Sequence, residues 1–310
     1  MSRRGRGDYD ISGKTVFITG AARGIGAAAA ERLHSLGANV ALVGLEPERL
    51  AENAERLGPR AIFHEADVTD LAALEGAVAA TVERFGRIDV AIANAGIAFA
   101  GALASEPVEH VERTLAVNLL GVWRTDRAVI GEISRNRGYL LNISSLSAVS
   151  HAPMMGPYTA AKAGVEALTD TLRMETSPTG ARVGCAYFGF IDTDLVRASF
   201  ERPSAQTMKD RLPGFMVNPA PLSTAIDAIE DGVRRRAARV WAPRWVGAMI
   251  ALRGVMQPLS EWSATRDSER LATAIGESEA ARESEGEEDA VLGVAARVLP
   301  ERAAPVSSRD

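Results

Sequence analysis

Tyr158 and Lys162 stand four residues apart in the segment Pro157–Thr176, where apolar residues recur at mixed three and four spacing, as on a helix. Side chains four apart share a helical face, so a phenol and an ammonium would lie one turn from each other. A phenol titrates near 10 and is a poor acid–base group at neutral pH. A neighbouring ammonium favours phenolate and brings that value toward the working range. The chain uses 32 Arg against three Lys (Lys14, Lys162, Lys209). A Lys at this position therefore suggests a need for a compact ammonium with three donors rather than a guanidinium fork; a solvent-facing helix cation is the bland alternative. Ser145 follows the apolar run Tyr139–Ile143, thirteen residues before Tyr158. Its hydroxyl can donate to a substrate oxygen, with Ser144 and Ser147 as rivals on chemistry alone and a backbone-bonding turn serine as the plain reading. Asn118 interrupts an apolar helical stretch, Leu115 to Trp123. Asn competes for backbone hydrogen bonds and is a poor helix-interior residue, a misfit that marks either function or a satisfied core amide.

Upstream, the run Lys14–Thr19 leads directly into Gly20-Ala21-Ala22-Arg23-Gly24-Ile25-Gly26 and then into a helical pattern. Between a strand and a helix, such glycines let the backbone turn tightly and approach a pyrophosphate at the helix N-terminus. The spacing differs from the Rossmann G-x-G-x-x-G, and a turn serving packing only is the alternative.

The string Thr19–Gly26, TGAARGIG, resembles the cofactor loop of the short-chain dehydrogenase/reductases. Asp67-Val68, Asn94-Ala95-Gly96, Asn118, Ser145 and Tyr158 with Lys162 follow in the order expected of that family, over residues 11 to about 243. The resemblance implies an NAD(P)(H)-dependent oxidoreductase interconverting a ketone or aldehyde and an alcohol. In it the tyrosine gives or takes the proton, the serine steadies the substrate oxygen, and the asparagine holds a water linking the lysine to solvent. Asp67 and Val68 would bond the adenine, and Asn94, Ala95 and Gly96 would pack beneath the ribose. Thr193, in the run Gly189–Thr193, matches the threonine that meets the nicotinamide carboxamide. Gly20, Arg23, Gly24, Ile25, Gly26, Leu45 and Ile191 complete the expected cofactor set, with Tyr158 and Lys162. The family usually has Pro-Gly where this chain has Phe188-Gly189, which bears on substrate shape.

NAD enzymes place an acid at the end of the second strand, whereas NADP needs cations for its 2′-phosphate. Here that position is Gly44, followed by Leu45 and Glu46. Arg23 could meet a 2′-phosphate, which favours NADP(H); Glu46 bonding a free ribose is the counter-reading. Substrate walls are expected from Leu146–Met155 and from a lid over 195–217 containing Phe200, Met208, Leu212, Phe215 and Met216. These residues suit an apolar or aromatic ketone or alcohol. The competing class is a non-catalytic dinucleotide-sensing or interaction protein on the same fold.

The elements that must position these residues alternate. Seven short runs rich in Val, Ile, Leu or Ala, at 14–19, 39–44, 61–65, 88–93, 139–143, 182–187 and 239–242, read as strands buried on both faces. Helical patterns at 25–36, 47–57, 70–85, 107–133, 157–176 and 224–235 lie between them. The expectation is a single doubly wound α/β Rossmann-like domain, with a mostly parallel seven-stranded sheet and helices on both faces, over 11–258. Residues 1–10 would be a flexible arm and 259–310 an acidic, disordered tail. Net charge is −5 over 310 residues, and the excess acid lies between Ser260 and Asp310, leaving the rest nearly neutral and without a basic face for nucleic acid. One cysteine and four scattered histidines argue against a disulfide scaffold or a zinc module. The longest charge-free stretch, 138–161, is broken by prolines, so no spanning helix is expected; with one cysteine and no apolar signal-like stretch after Met1–Asp10, a reducing cytoplasm is the expected location. Past the last strand, Trp241, Trp245, Val246, Met249, Ile250 and Leu252 form an apolar stretch that could cover the substrate mouth, a partner subunit or a membrane surface. The long apolar helices at 107–133 and 157–176 suggest a homodimer or homotetramer.

Overall fold

The computed structural model describes residues 8–201 and 214–290. Seven strands form one sheet, every pair parallel: β1 (Thr15–Thr19), β2 (Asn39–Gly44), β3 (Ala61–Glu65), β4 (Val90–Ala93), β5 (Tyr139–Ile143), β6 (Arg182–Phe188) and β7 (Arg239–Ala242). Their spatial order is β3-β2-β1-β4-β5-β6-β7, so the direction of winding reverses between β1 and β4. At such a reversal the connections leave to opposite faces and open a crevice at the carboxyl ends of the strands.

Alternate residues of each strand feed two cores. Val16, Ile18, Val40, Leu42, Val90 and Ile92 face α1 (Gly24–Ser35), α2 (Pro47–Leu57) and the later helix α9 (Leu222–Arg235). Phe17, Ala41, Val43, Ala91 and Leu140 face α3 (Leu71–Phe85) and α5 (Gly121–Arg135), with α6 (Gly156–Thr176) beside them. Because helices cover both faces, the strands read as continuous apolar runs rather than alternating ones.

One expectation differs from the structure. The stretch 107–133 is not one regular helix: α4 (Val108–Leu115) passes through a π turn at Ala116–Leu120 before continuing as α5. The segment from 259 is helical as far as it is described. Between α6 and α9 lie α7 (Asp194–Glu201) and α8 (Gly214–Val217); after β7 come α10 (Val246–Arg266) and α11 (Ser268–Ala290). The acidic composition of α11 hid a narrow stripe, Leu271, Ala274, Ile275 and Ser278, at the spacing of one helical face. Ala274 and Ser278 are buried, and Glu279 accepts a hydrogen bond from Ser105 at 2.6 Å. No described helix is long and apolar enough to cross a membrane.

Where α5, β5 and α6 meet, the buried Asn142 amide donates to Asp126 at 2.8 Å and to Thr169 at 3.0 Å. Burial pushes the Asp126 carboxyl up to about 8, only partly opposed by the Asn142 bond. The folded chain thus keeps a proton that the unfolded chain releases near 4. The stability associated with that proton is complete below about pH 4 and is lost progressively as pH rises to about 8. Asp126→Asn, neutral and of the same shape, should flatten this dependence. Urea midpoints at pH 5, 7 and 9 are expected to show the variant gaining on the parent as pH rises; a constant difference refutes the assignment.

Candidate active site

The crevice at the β1–β4 reversal holds a cavity of about 310 Å³ lined from the carboxyl ends of β1, β2, β4, β5 and β6. It gathers almost every residue expected from the sequence. Gly20, Arg23, Gly24, Ile25, Leu45, Asp67, Val68, Asn94, Ala95, Gly96, Ser145, Tyr158, Lys162, Ile191 and Thr193 all line it. Gly26 and Asn118 lie just behind the lining.

One wall is the glycine loop. Gly20 adopts a left-handed conformation, φ 65°, and a Cβ on Gly26 would come within 2.2 Å of the Gly20 carbonyl oxygen. Only hydrogen at both positions lets the turn close and bring the first turn of α1 to the cavity, its free N–H groups forming a cradle for a phosphate-bearing ligand. Asn94 fastens the loop to β4: its amide donates to the carbonyls of Thr19 and Gly20, both at 3.1 Å, while its own backbone N–H donates to the Thr19 hydroxyl at 3.1 Å. Thr193 closes the far side, its methyl 3.8 Å from where a Gly24 Cβ would be.

The other wall carries the acid–base groups. Proline at the start of α6 fits the first turn, where its missing N–H is harmless, and helix spacing then stacks Tyr158 and Lys162. The Lys162 ammonium is buried, donates to the Ile143 carbonyl at 2.8 Å and lies 5.6 Å from the Tyr158 ring centre. Burial pulls Lys162 down to about 8. Tyr158 differs from the simple expectation that the ammonium lowers the phenol: burial pushes its hydroxyl up, and the group that pulls it back is Ser145, through a hydrogen bond. Desolvation wins because the ammonium is turned to a carbonyl and the ring face rather than to the phenol oxygen.

The structure also ranks the serines. Ser144 spends its hydroxyl on the Lys162 carbonyl at 2.9 Å, and Ser147 lies outside the cavity, its backbone N–H donating to Ser145 Oγ at 3.1 Å. Ser145 lines the cavity with Tyr158, its hydroxyl donating to the Phe188 carbonyl at 3.5 Å. Asn118 is fully buried in the π turn; its amide donates to the Ile97 carbonyl at 2.6 Å and its oxygen accepts from the Ile97 N–H at 2.8 Å. The extra residue of the π turn swings this side chain off the helix onto the strand-end loop, a common role of such turns at functional sites.

Arg113 was not singled out by sequence. It lines the cavity from α4, 3.7 Å from the Asp67 carboxylate. Its place five residues before Asn118 on the same helical rod was the available signal. Arg23, expected to face a phosphate, has its Nε 2.9 Å from Glu46, which also lies 3.5 Å from Arg49. Phe99, Leu195 and Val196 add apolar lining, whereas the segment 146–155 contributes none. Phe200 packs edge-on against Phe190, their centres 4.8 Å apart. Met208 and Leu212 lie outside the described residues.

Comparison with known proteins agrees with this geometry. Residues 14–204 match the family model for short chain dehydrogenases. A trans-4-hydroxycyclohexanecarboxylate dehydrogenase of Sinomonas cyclohexanicum is 34% identical over 194 residues, 60% of this chain and 75% of the relative. The glycine betaine reductase ATRR of Emericella nidulans is 32% identical over 220 residues, 70% of this chain but 17% of that much longer protein. A short-chain dehydrogenase/reductase from Burkholderia phymatum, solved in complex with NAD, superposes with a TM-score of 0.71 at 25% identity, covering 81% of this chain and 96% of its own. The family match over most of the domain, joined to a glycine cradle and a Ser-Tyr-Lys wall facing one cavity, places this chain in the short-chain dehydrogenase/reductase family of NAD(P)-dependent oxidoreductases.

Proposed function

We propose that the protein interconverts an apolar ketone or aldehyde and the corresponding alcohol, with Tyr158 as the proton donor and acceptor. The observation that carries this reading is that Tyr158, Ser145 and the buried Lys162 share one cavity wall. The bound dinucleotide supplies the hydride, and Gly20, Gly24, Asp67, Asn94 and Thr193 are the residues that would hold it. The protein's own part is positional and protonic. Ser145 steadies the substrate oxygen, Tyr158 gives it a proton in reduction and removes one in oxidation, and the buried Lys162, one helical turn away, passes that proton on. The apolar surfaces of Phe99, Phe188, Leu195 and Val196 support an apolar substrate and exclude water.

For the cofactor we favour NADP(H), on Arg23 at the cavity beside a strand end that carries Gly44 and Leu45 rather than an acid. The 2.9 Å pair between Arg23 and Glu46 favours NAD(H) instead, since a carboxylate there repels a 2′-phosphate and accepts ribose hydroxyls. Two substitutions separate the readings. Under the NADP(H) reading, Arg23→Ala weakens NADP binding far more than NAD, and Glu46→Gln strengthens NADP. Equal losses for both cofactors, or NAD weakened by Glu46→Gln, assign the site to NAD(H).

We also read the protein as a homodimer or homotetramer paired through α5 and α6, because Leu120 at the end of the π turn, Trp123 of α5 and Met174 of α6 remain exposed. Sedimentation at micromolar concentration is expected to show the oligomer, and a monomer there refutes it.

The mechanistic test follows from Tyr158. A panel of apolar ketones and secondary alcohols, followed by nicotinamide absorbance, identifies a turned-over substrate. On it, Tyr158→Phe keeps the ring and the packing but removes the transferable proton, so turnover should fall by roughly a hundredfold to ten-thousandfold with cofactor affinity nearly unchanged. Lys162→Arg should fail as well, its guanidinium being too broad for the buried position under Ile143. Near-normal turnover by Tyr158→Phe excludes Tyr158 as the proton donor. Cofactor binding with no turnover of any substrate by the parent favours a sensing role.

A further inference from the structure

Phe99 lines the cavity and is buried, on the loop that leads from β4 to α4. Its stretch is tied to the acid–base wall at both ends. Before it, the Asn118 amide clasps the Ile97 backbone, and a Cβ on Gly96 would lie 3.7 Å from the Lys162 nitrogen. After it, the Gly101 N–H donates to the carbonyl of Met154, four residues ahead of Tyr158, at 2.9 Å. Phe99 therefore stands at the Tyr158–Lys162 end of the cavity. Its ring rests on His110 of α4, the two centres 4.8 Å apart and the planes 10° from parallel. His110 is buried as well, and its Nδ1 is 2.9 Å from the carboxylate of Glu106, a side chain only 3% exposed. That carboxylate lies against the Gly101 backbone, where any Cβ would collide with it.

We propose that His110, held by Glu106, is a positioning residue that fixes the plane of Phe99, and that Phe99 so fixed sets how broad a ketone the cavity takes. The proposal rests on the reading of Tyr158 as proton donor to a ketone, which puts the substrate at this end. A leucine at position 110 would fill similar space beneath Phe99 without dictating the plane of its ring. An imidazole differs in having a polar edge. Once buried it must keep a hydrogen-bonding partner, and the bond to Glu106 fixes its rotation. The circuit closes on the loop itself: Glu106 abuts Gly101, His110 abuts Phe99, and residues 99 and 101 belong to one stretch. Phe99 cannot swing aside for a wider substrate without breaking the stack or displacing a buried carboxylate. Such a wall admits a phenyl ketone and rejects one broader by a ring, because overfilling a packed site forces its neighbours off their preferred geometry. Neither His110 nor Glu106 lines the cavity, so both act through Phe99.

Ring-13C phenylalanine labelling of the full-length protein reads this wall without turnover; among eight phenylalanines, Phe99 is assigned by the signal lost in Phe99→Leu. With oxidised dinucleotide bound, which cannot reduce a ketone, acetophenone and the broader 4-phenylacetophenone are titrated in. Acetophenone is expected to shift the Phe99 signal and to bind more tightly than the broader ketone. His110→Leu should weaken acetophenone about three- to tenfold, the range of a lost aromatic pair, and narrow the difference between the two ketones. Glu106→Leu, which leaves the rings in place but releases the imidazole, should narrow the same difference. Phe99→Ala should favour the broader ketone about tenfold relative to the parent. If His110→Leu does not fold, His110→Gln, able to bond Glu106 but offering no ring, decides in its place. With reduced dinucleotide, KM for acetophenone in the His110 variant should rise by the same factor while kcat holds. A merely structural His110 or Glu106 would lower the unfolding temperature when replaced and leave the ratio of the two affinities unchanged. That result, or a Phe99 signal that neither ketone moves, overturns the proposal. If the parent binds the ketones but reduces neither, the functional reading fails and the affinity ratios still judge this one.

Discussion

The site depends on keeping an ammonium in the interior. Lys162 is nearly inaccessible, and its displacement from 10.5 to about 8 corresponds to about 3 kcal/mol of disfavour for its charged form. Such a group is tolerated only where the surroundings cannot avoid it, and here several elements conspire. α6 begins at Gly156, where the chain emerges from the β5 loop, so the helix crosses the carboxyl edge of β5. That crossing sets the ammonium under the Ile143 carbonyl and spends the Ser144 hydroxyl on the backbone of the same helix. The hydrogen bond offsets part of the desolvation; the remainder makes the proton easy to remove, which is the property acid–base chemistry needs.

The same constraint explains which parts were legible in the sequence. Strands buried on both faces are short apolar runs, and those at 39–44, 61–65, 139–143 and 239–242 end where the structure ends them. The glycine loop and the α6 pair were legible because their residue types are unusual for their places: a methyl at Gly26 collides with backbone, and Lys162 is one of three lysines in a chain with 32 arginines. Asn118 announced itself as a polar misfit, but the π turn that accommodates it has no compositional signature. Apolar periodicity runs through 107–133 whether or not one residue is looped out.

What sequence could not give was pairing across distance. Arg23 and Glu46 are each plain surface charges by composition, and only the fold sets them 2.9 Å apart at the cavity. Arg113 with Asp67 and Arg253 with Glu166 are of the same kind. In a chain with 32 arginines no single one stands out, so the significant ones are found by what they face. In the acidic C-terminal region the bulk composition favours solvation, while a few small residues, Ala274 and Ser278, are buried.

Buried polarity in this protein is graded by partner rather than by depth. Asp126 and Lys162 are both enclosed, and burial drives each toward its neutral form, the carboxyl by holding a proton and the ammonium by giving one up. Glu166 stands beside them on the same helix as Lys162 yet faces a guanidinium at 3.0 Å, and an ion pair is the other way to make a buried charge tolerable. The difference follows from the direction each side chain takes. Asp126 looks into the α5–β5–α6 junction, where amides and hydroxyls are the available partners, whereas Glu166 looks toward β6 and the helix that follows β7. A neutral acid can serve packing and a poised ammonium can serve proton transfer, whereas the Glu166 carboxylate takes the third course, an ion pair with a side chain from another element.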